Sequence, residues 1–229
     1  MDKSIRNVTI QALVGFAFLA TVMWLALFLP SWSLDYWQAW VYWVIWQISV
    51  IAITVYFLKK DPKLIEGRLK AGPTDEKEGS QKLIQAFASV FFILLFLIPA
   101  FDHRFHWSSV PVFLVLAGDV FVALGFLVIF FVFKENSYTS GIIEVSKEQK
   151  VISTGPYGVV RHPMYAGALL MLFFTPIALG SFWGLLAAFP MLVVIALRLG
   201  EEEKFLSKNL PGYDAYRMKI RYRLIPRVW

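Results

Sequence analysis

The sequence predicts an all-α fold, a polytopic transmembrane helical bundle of about six membrane helices forming one integral membrane domain over 1–229. Three observations carry that prediction. Hydrophobic residues make up 58% of the chain and charged residues 17%, against roughly half and a quarter in soluble domains. The apolar residues fall into long runs almost free of charge, and the basic residues collect between those runs in a one-sided pattern.

The runs are 10–29, 36–58, 83–101, 110–133, 164–179 and 182–197. A hydrocarbon core about 30 Å thick needs roughly 20 residues of helix, which the first four supply. The last two are 16 residues each and are joined by Gly180 and Ser181. They predict a tight helical hairpin, shorter than a full span, with Pro176 and Pro190 kinking it to open a lateral groove. Helices are the default because an open strand in lipid leaves its backbone polar groups unpaired. The first run exceeds a signal-peptide core and lacks a small-residue cleavage site, so it is expected to stay in the protein. Residues 1–133 thus carry four membrane helices, and 134–229 a loop, the hairpin and a C-terminal tail.

With the N-terminus cytoplasmic, the cytoplasmic segments hold Lys3 and Arg6, seven basic residues in 59–82, four in 134–163 and eight from Arg198 onward. That is 21 of the 22 Lys and Arg, with only Arg104 outside. The positive-inside rule therefore places both termini and the polar loops in the cytoplasm. Trp32, Tyr36, Trp37, Trp40 and Trp107 fall where an outer aromatic belt is expected. The net charge of +6 is accounted for by attraction to anionic inner-leaflet lipid, without nucleic acid. The absence of cysteine excludes a disulfide framework, a thiolate nucleophile and a Cys-ligated metal.

Three polar segments follow from this topology. Residues 59–82 open with a short amphipathic stretch at 62–70 and turn polar at 72–75, which reads as a solvated connector with an interfacial piece. Residues 134–163 are longer than a helix–helix connection requires, and long loops of this kind are either disordered or functional. Val151, Ile152, Val159 and Val160 predict that parts of it pack. The tail carries Tyr213, Tyr216, Tyr222 and Ile225 on the same side, so loop and tail are expected to close over one another.

Two short motifs stand in these segments. In Arg161-His162-Pro163-Met164-Tyr165-Ala166-Gly167, Pro163 suits the first turn of a helix, which puts His162 near the N-cap. A helix N-terminus favours a carboxylate or phosphate, and Arg161 adds a full charge; the same residues also suit a basic membrane anchor. In Arg198-Leu199-Gly200-Glu201-Glu202-Glu203, Arg198 and Glu202 share a face if the last helix continues. Arg198 stands at the hydrocarbon boundary, where it either faces the bundle as a functional group or snorkels to the headgroups. Three consecutive acids repel one another, and Arg198 can neutralise only part of that charge.

Gly155-Pro156-Tyr157, the 161–167 motif, Arg198-x-x-x-Glu202-Glu203-x-x-Leu206, Tyr213-x-x-Tyr216 and Ile225-Pro226 occur in this order. In order and spacing they resemble the isoprenylcysteine carboxyl methyltransferase and phospholipid methyltransferase superfamily. The resemblance implies a membrane methyltransferase using S-adenosylmethionine without a Rossmann domain, and no G-x-G-x-x-G follows a strand-like run here. It implies cofactor contacts from Gln149, Lys150, Val151, Ile152, Tyr157, His162, Pro163, Met164 and Tyr165. It further implies a substrate-side Arg198 and a cofactor-side Glu202, the two expected catalytic residues. It does not extend to 142–144.

The chemistry of the cofactor agrees. A helix N-terminus and Arg161 suit its carboxylate, Glu202 and Glu203 its ammonium, and the Tyr157 or Tyr165 faces its sulfonium. Arg198 can hold an acceptor carboxylate or phosphate as a bidentate fork, and an acid of the cluster can take the proton of an amine acceptor. A lipid-like or prenylated acceptor from the bilayer is expected, most like carboxyl O-methylation. Phospholipid N-methylation, a sterol-reductase-like enzyme using NADPH and a non-catalytic membrane scaffold are the alternatives. Asp119 lies inside the fourth run, where an acid faces a cavity or a partner such as Gln47 or a tyrosine. His103 and His106 are three apart but lack an evident third ligand, so no metal is expected.

Overall fold

The apolar runs become helices that extend past the hydrophobic stretch at one or both ends. The computed structural model describes residues 3–76 and 78–229; Lys77 and the side chain of Lys3, both counted among the basic residues, lie outside them. Within the described residues the regular structure is helical: α1 (Lys3–Ser31), α2 (Trp37–Lys60), α3 (Pro62–Leu69), α4 (Gly79–Phe105), α5 (Val112–Glu135), α6 (Pro163–Ala178), α7 (Leu185–Asn209) and α8 (Tyr213–Lys219). Four of these, α1, α2, α4 and α5, are long and apolar enough to cross a membrane. Helix α6, with 16 residues, is shorter, as the run at 164–179 predicts.

The second arm of the hairpin differs from expectation. Residues 182–184 form its turn, and α7 continues from Leu185 to Asn209, 25 residues, well beyond the apolar run. The turn is pinned to the end of α4 by the buried Asp102, which accepts from the Ser181 hydroxyl at 2.5 Å and from the Ser108 backbone N–H at 2.7 Å. This anchoring lets α7 carry Arg198, Glu202 and Glu203 outward on one rigid rod.

Helices α5 and α6 approach almost backbone to backbone. A Cβ at Gly125 would stand 2.7 Å from the Gly167 carbonyl oxygen, and one at Gly118 would stand 2.7 Å from the Ala178 nitrogen. Small residues permit such approach where lipid offers no hydrophobic drive between helices. Gly125→Leu is therefore expected to destabilise by about 1–3 kcal/mol through overpacking, read as a lower unfolding midpoint in detergent. Gly15→Leu, at a position with nothing within 4 Å of a new Cβ, serves as the neutral control.

Three expectations fail here. The 59–82 segment is not a solvated connector. Asp61 caps α3 by accepting from the Leu64 N–H at 3.3 Å, Leu64 and Ile65 are buried, and α3 packs on α1 and α2. Further on, Glu76 is buried as well. Tyr36 does not belong to an exposed aromatic belt: it is fully buried and its hydroxyl donates to the Leu179 carbonyl at 2.6 Å. Trp32, Trp37, Trp40 and Trp107 do remain exposed. Asp119 is buried but finds neither Gln47 nor a tyrosine, since both of its oxygens and the Gln47 amide lack a hydrogen-bond partner. His103 stacks on Tyr36 with ring centres 4.0 Å apart, a packing role on the face opposite the polar loops.

Candidate active site

A cavity of about 760 Å³ opens where the 134–163 loop, the start of α6 and the extension of α7 meet. Its loop end is polar, and it continues between the membrane helices past Phe18 and Val22 of α1, Phe92 and Ile93 of α4, and Met191 and Ile195 of α7. Phe18 at that apolar end is 70% exposed, so the cavity is open there instead of being closed off by protein.

The loop is shaped before it reaches the helix. Residues 155–158 form a single 3-10 turn, with Gly155 in the left-handed region at φ +54°. A side chain at Gly155 would also meet the Glu135 carboxylate. The turn presents Tyr157, whose hydroxyl accepts from the Asn136 amide at 3.0 Å. Burial pushes the Tyr157 phenol up to about 12, against the opposing effect of the Asn136 hydrogen bond, so it is neutral at physiological pH.

The tail closes over the loop. The Tyr216 hydroxyl donates to the Tyr157 carbonyl at 2.8 Å. The Arg161 and His162 N–H groups donate to Tyr222 and Arg223 carbonyls at 2.9 and 3.0 Å. Val151 and Val160 pack as expected, whereas Val159 is exposed. His162 is the N-cap residue of α6 and Pro163 its first residue, but the His162 side chain does not cap.

The His162 ring turns instead toward a buried ionic cluster. Its Nε2 lies 3.2 Å from Glu203 Oε1, which also accepts from Arg161 Nε at 2.7 Å. Glu203 Oε2 accepts from Arg223 Nε and Nη2, both at 3.1 Å. Arg161 Nη1 goes to the carbonyls of Ile220 and Arg221 at 2.9 and 2.8 Å. Burial alone would raise the Glu203 carboxyl, but the hydrogen bonds and charges of His162 and Arg161 hold it down at about 2.

Arg198 is equally engaged. Its Nη2 pairs with Glu76 at 2.8 Å and donates to the Gly141 carbonyl at 3.1 Å. Its Nη1 donates to Gln81 at 3.1 Å and its Nε to the Tyr165 hydroxyl at 3.1 Å. Gln85, with its amide oxygen turned inward, accepts from Nη1 and Nη2 at 3.0 and 3.2 Å. The Tyr165 hydroxyl in turn donates to Glu202 at 2.6 Å. Arg198 and Glu202 therefore lie on one helix face, as expected, but a tyrosine stands between them and the ionic partner of Arg198 is Glu76.

Gln149, Lys150, Val151, Ile152, Tyr157, Arg161, His162, Met164, Tyr165, Arg198 and Glu202 all line the one cavity, as do residues 142–144. Pro163 and Glu203 stand behind its wall, both buried. The sequence reading missed Arg68, Glu76, Gln81 and Gln85. The i, i+4 pair Gln81 and Gln85 at the start of α4 is a usable signal, because it puts two amides on one helix face. Nothing local marks Glu76, which reaches Arg198 across more than a hundred residues of sequence.

Residues 113–211 match the model of the phospholipid methyltransferase family. That family stands in the membrane methyltransferase superfamily that also includes the isoprenylcysteine carboxyl methyltransferases, and the match covers less than half of the chain. No curated protein matches the chain.

Proposed function

We propose that this chain, whose residues 113–211 match the model of the phospholipid methyltransferase family, is an S-adenosylmethionine-dependent enzyme that methylates an amphiphile taken from the bilayer. The observation that carries the reading is the cavity itself. One end gathers an acid, phenols and the loop backbone at 149–152, while the other is apolar and runs between membrane helices past Phe18, where the lining is exposed.

The residues at the polar end fit the cofactor. Glu202 has one oxygen held by Tyr165 and suits an ammonium. The Tyr157 and Tyr213 rings border the same space and suit a cation such as a sulfonium. The engaged guanidiniums of Arg161 and Arg198 shape the wall instead of reaching into it. When bound, S-adenosylmethionine would supply an activated methyl group on sulfur.

The protein's contribution is positional. Transfer of a methyl group disperses charge, so the gain comes from holding donor and acceptor in line and keeping water out. The chain of Glu76, Arg198, Tyr165 and Glu202 does this by linking the 59–82 segment, α6 and α7 into one hydrogen-bonded frame. The apolar run past Phe92 and Met191 takes the chain of the acceptor and presents its head at that frame. The one-sided distribution of basic residues supports a position of this end at the cytoplasmic leaflet, where anionic lipid would hold the loops.

Titration calorimetry of the protein in nanodiscs tests the reading. S-adenosylmethionine is expected to bind with one site per chain, and NADPH not to bind. A folded protein that takes up no S-adenosylmethionine refutes it.

A further inference from the structure

Arg68 belongs to none of the motifs above, yet it faces the cavity from α3. Its Nη1 donates to the Ser140 carbonyl at 2.6 Å and lies 3.6 Å from the Met164 sulfur. Its guanidinium carbon is 5.4 Å from the centre of the Phe133 ring. Among the described residues no carboxylate lies within ion-pair distance of it.

The contrast with the other cavity arginines is direct. Glu76 neutralises Arg198 at 2.8 Å, and Glu203 neutralises Arg161 at 2.7 Å. Burial lowers the Arg68 guanidinium, and the nearby Arg198 lowers it further, against raising contributions from Tyr165, Tyr157 and Glu202. An arginine remains charged in any case, so the cavity beside Arg68 favours an anion.

We propose that Arg68 is the anion-holding residue of the acceptor site, and that the acceptor carries an oxyanion at the head of an apolar chain. The inference rests on the methyltransferase reading above. Among the described residues the hydrogen bonds of Arg68 run through Nη1, which leaves Nη2 and Nε for a ligand, and two such groups suit a planar oxyanion. With Glu202 serving an ammonium, Arg68 and Lys150 are the lining cations without an ion pair among the described residues, and Arg68 is the less exposed of the two. A carboxylate acceptor also suits the cavity chemically. Its oxygen gains the bond to carbon as the carbon–sulfur pair returns to sulfur, and no proton has to leave. An amine acceptor needs a base, and the nearest imidazole, His162, is tied to Glu203.

The oxyanion has two possible sources, a carboxylate that is itself methylated or the phosphate of a phospholipid headgroup. The test measures binding of three probes to wild type, Arg68→Gln and Arg68→Lys in nanodiscs: a long-chain carboxylate, its primary amide, and phosphatidylethanolamine. Arg68→Gln is expected to weaken the carboxylate about 10–100-fold, the range for a lost charge-assisted pair, while leaving the amide unchanged. Arg68→Lys is expected to recover part of that loss. If phosphatidylethanolamine alone loses affinity in Arg68→Gln, the proposal stands with the headgroup phosphate as the oxyanion.

Two results overturn it: equal affinity of wild type and Arg68→Gln for both charged probes, or loss of S-adenosylmethionine binding with amphiphile binding intact. A merely structural Arg68 would shift the amide as much as the carboxylate. Failure of the methyltransferase reading is separate, because it appears as absent cofactor binding in the wild type.

Discussion

Glu203→Ala is expected to lower the stability of the fold by about 3–5 kcal/mol, the cost of leaving buried cations unpaired. Glu203 is 3% exposed, and it is the one carboxylate that Arg161, His162 and Arg223 share. Removing it strands charges that tie the 134–163 loop, α7 and the tail together. The same group predicts a pH dependence. Its folded value of about 2 lies below the ordinary 4.5, so its stabilisation is complete above 4.5 and is lost as pH falls toward 2. A shift of that size corresponds to about 3 kcal/mol. Urea unfolding in detergent should show a large gap between wild type and variant at pH 7, narrowing as pH drops below the ordinary value. A variant as stable as wild type at pH 7 would show that the cluster is not what fastens the tail.

Glu202→Ala is expected to leave the unfolding midpoint nearly unchanged and to weaken S-adenosylmethionine binding about 10–100-fold, the range for a lost hydrogen bond to a charged group. Glu202 is half-buried at the cavity wall and makes one internal hydrogen bond, from Tyr165. Glu201 provides the control one residue away. It pairs with Lys204 at 2.7 Å on the exposed face, so Glu201→Ala should change neither quantity. Calorimetry giving both variants the same cofactor affinity would remove Glu202 from the site.

This pair of predictions shows why the acid triplet resisted reading from sequence. Three adjacent residues on a helix point about 100° apart, so proximity along the chain says little about shared partners. Glu201 meets the exposed Lys204, Glu202 the cavity and Tyr165, and Glu203 a buried cluster. The need for cationic partners was legible, because three acids in a row repel. Their identities were not, since Arg161 and Arg223 arrive from other segments. Arg198 gives the same lesson in reverse. The i, i+4 spacing made Glu202 its natural partner, yet Glu76 occupies that place because α3 folds back onto α1 and α2 and carries the following chain into the site.

The membrane character, the helical class and the grouping of polar loops around one end were determined by sequence alone. They depend on quantities summed over many residues: the length of apolar runs against bilayer thickness, and the distribution of charge between them. The ordered motifs from Gly155 to Pro226 likewise marked a loop, a helix start and a helix extension that together line the cavity. Tertiary structure decided how the charges pair. It tied Arg161 to Glu203 and Arg198 to Glu76, drew the 59–82 segment into the wall, and left Arg68 facing the cavity with no carboxylate among the described residues at ion-pair distance. Burial of a charge is tolerated only with a partner at about 3 Å, and which group reaches that distance is fixed by the packing of helices far apart in sequence.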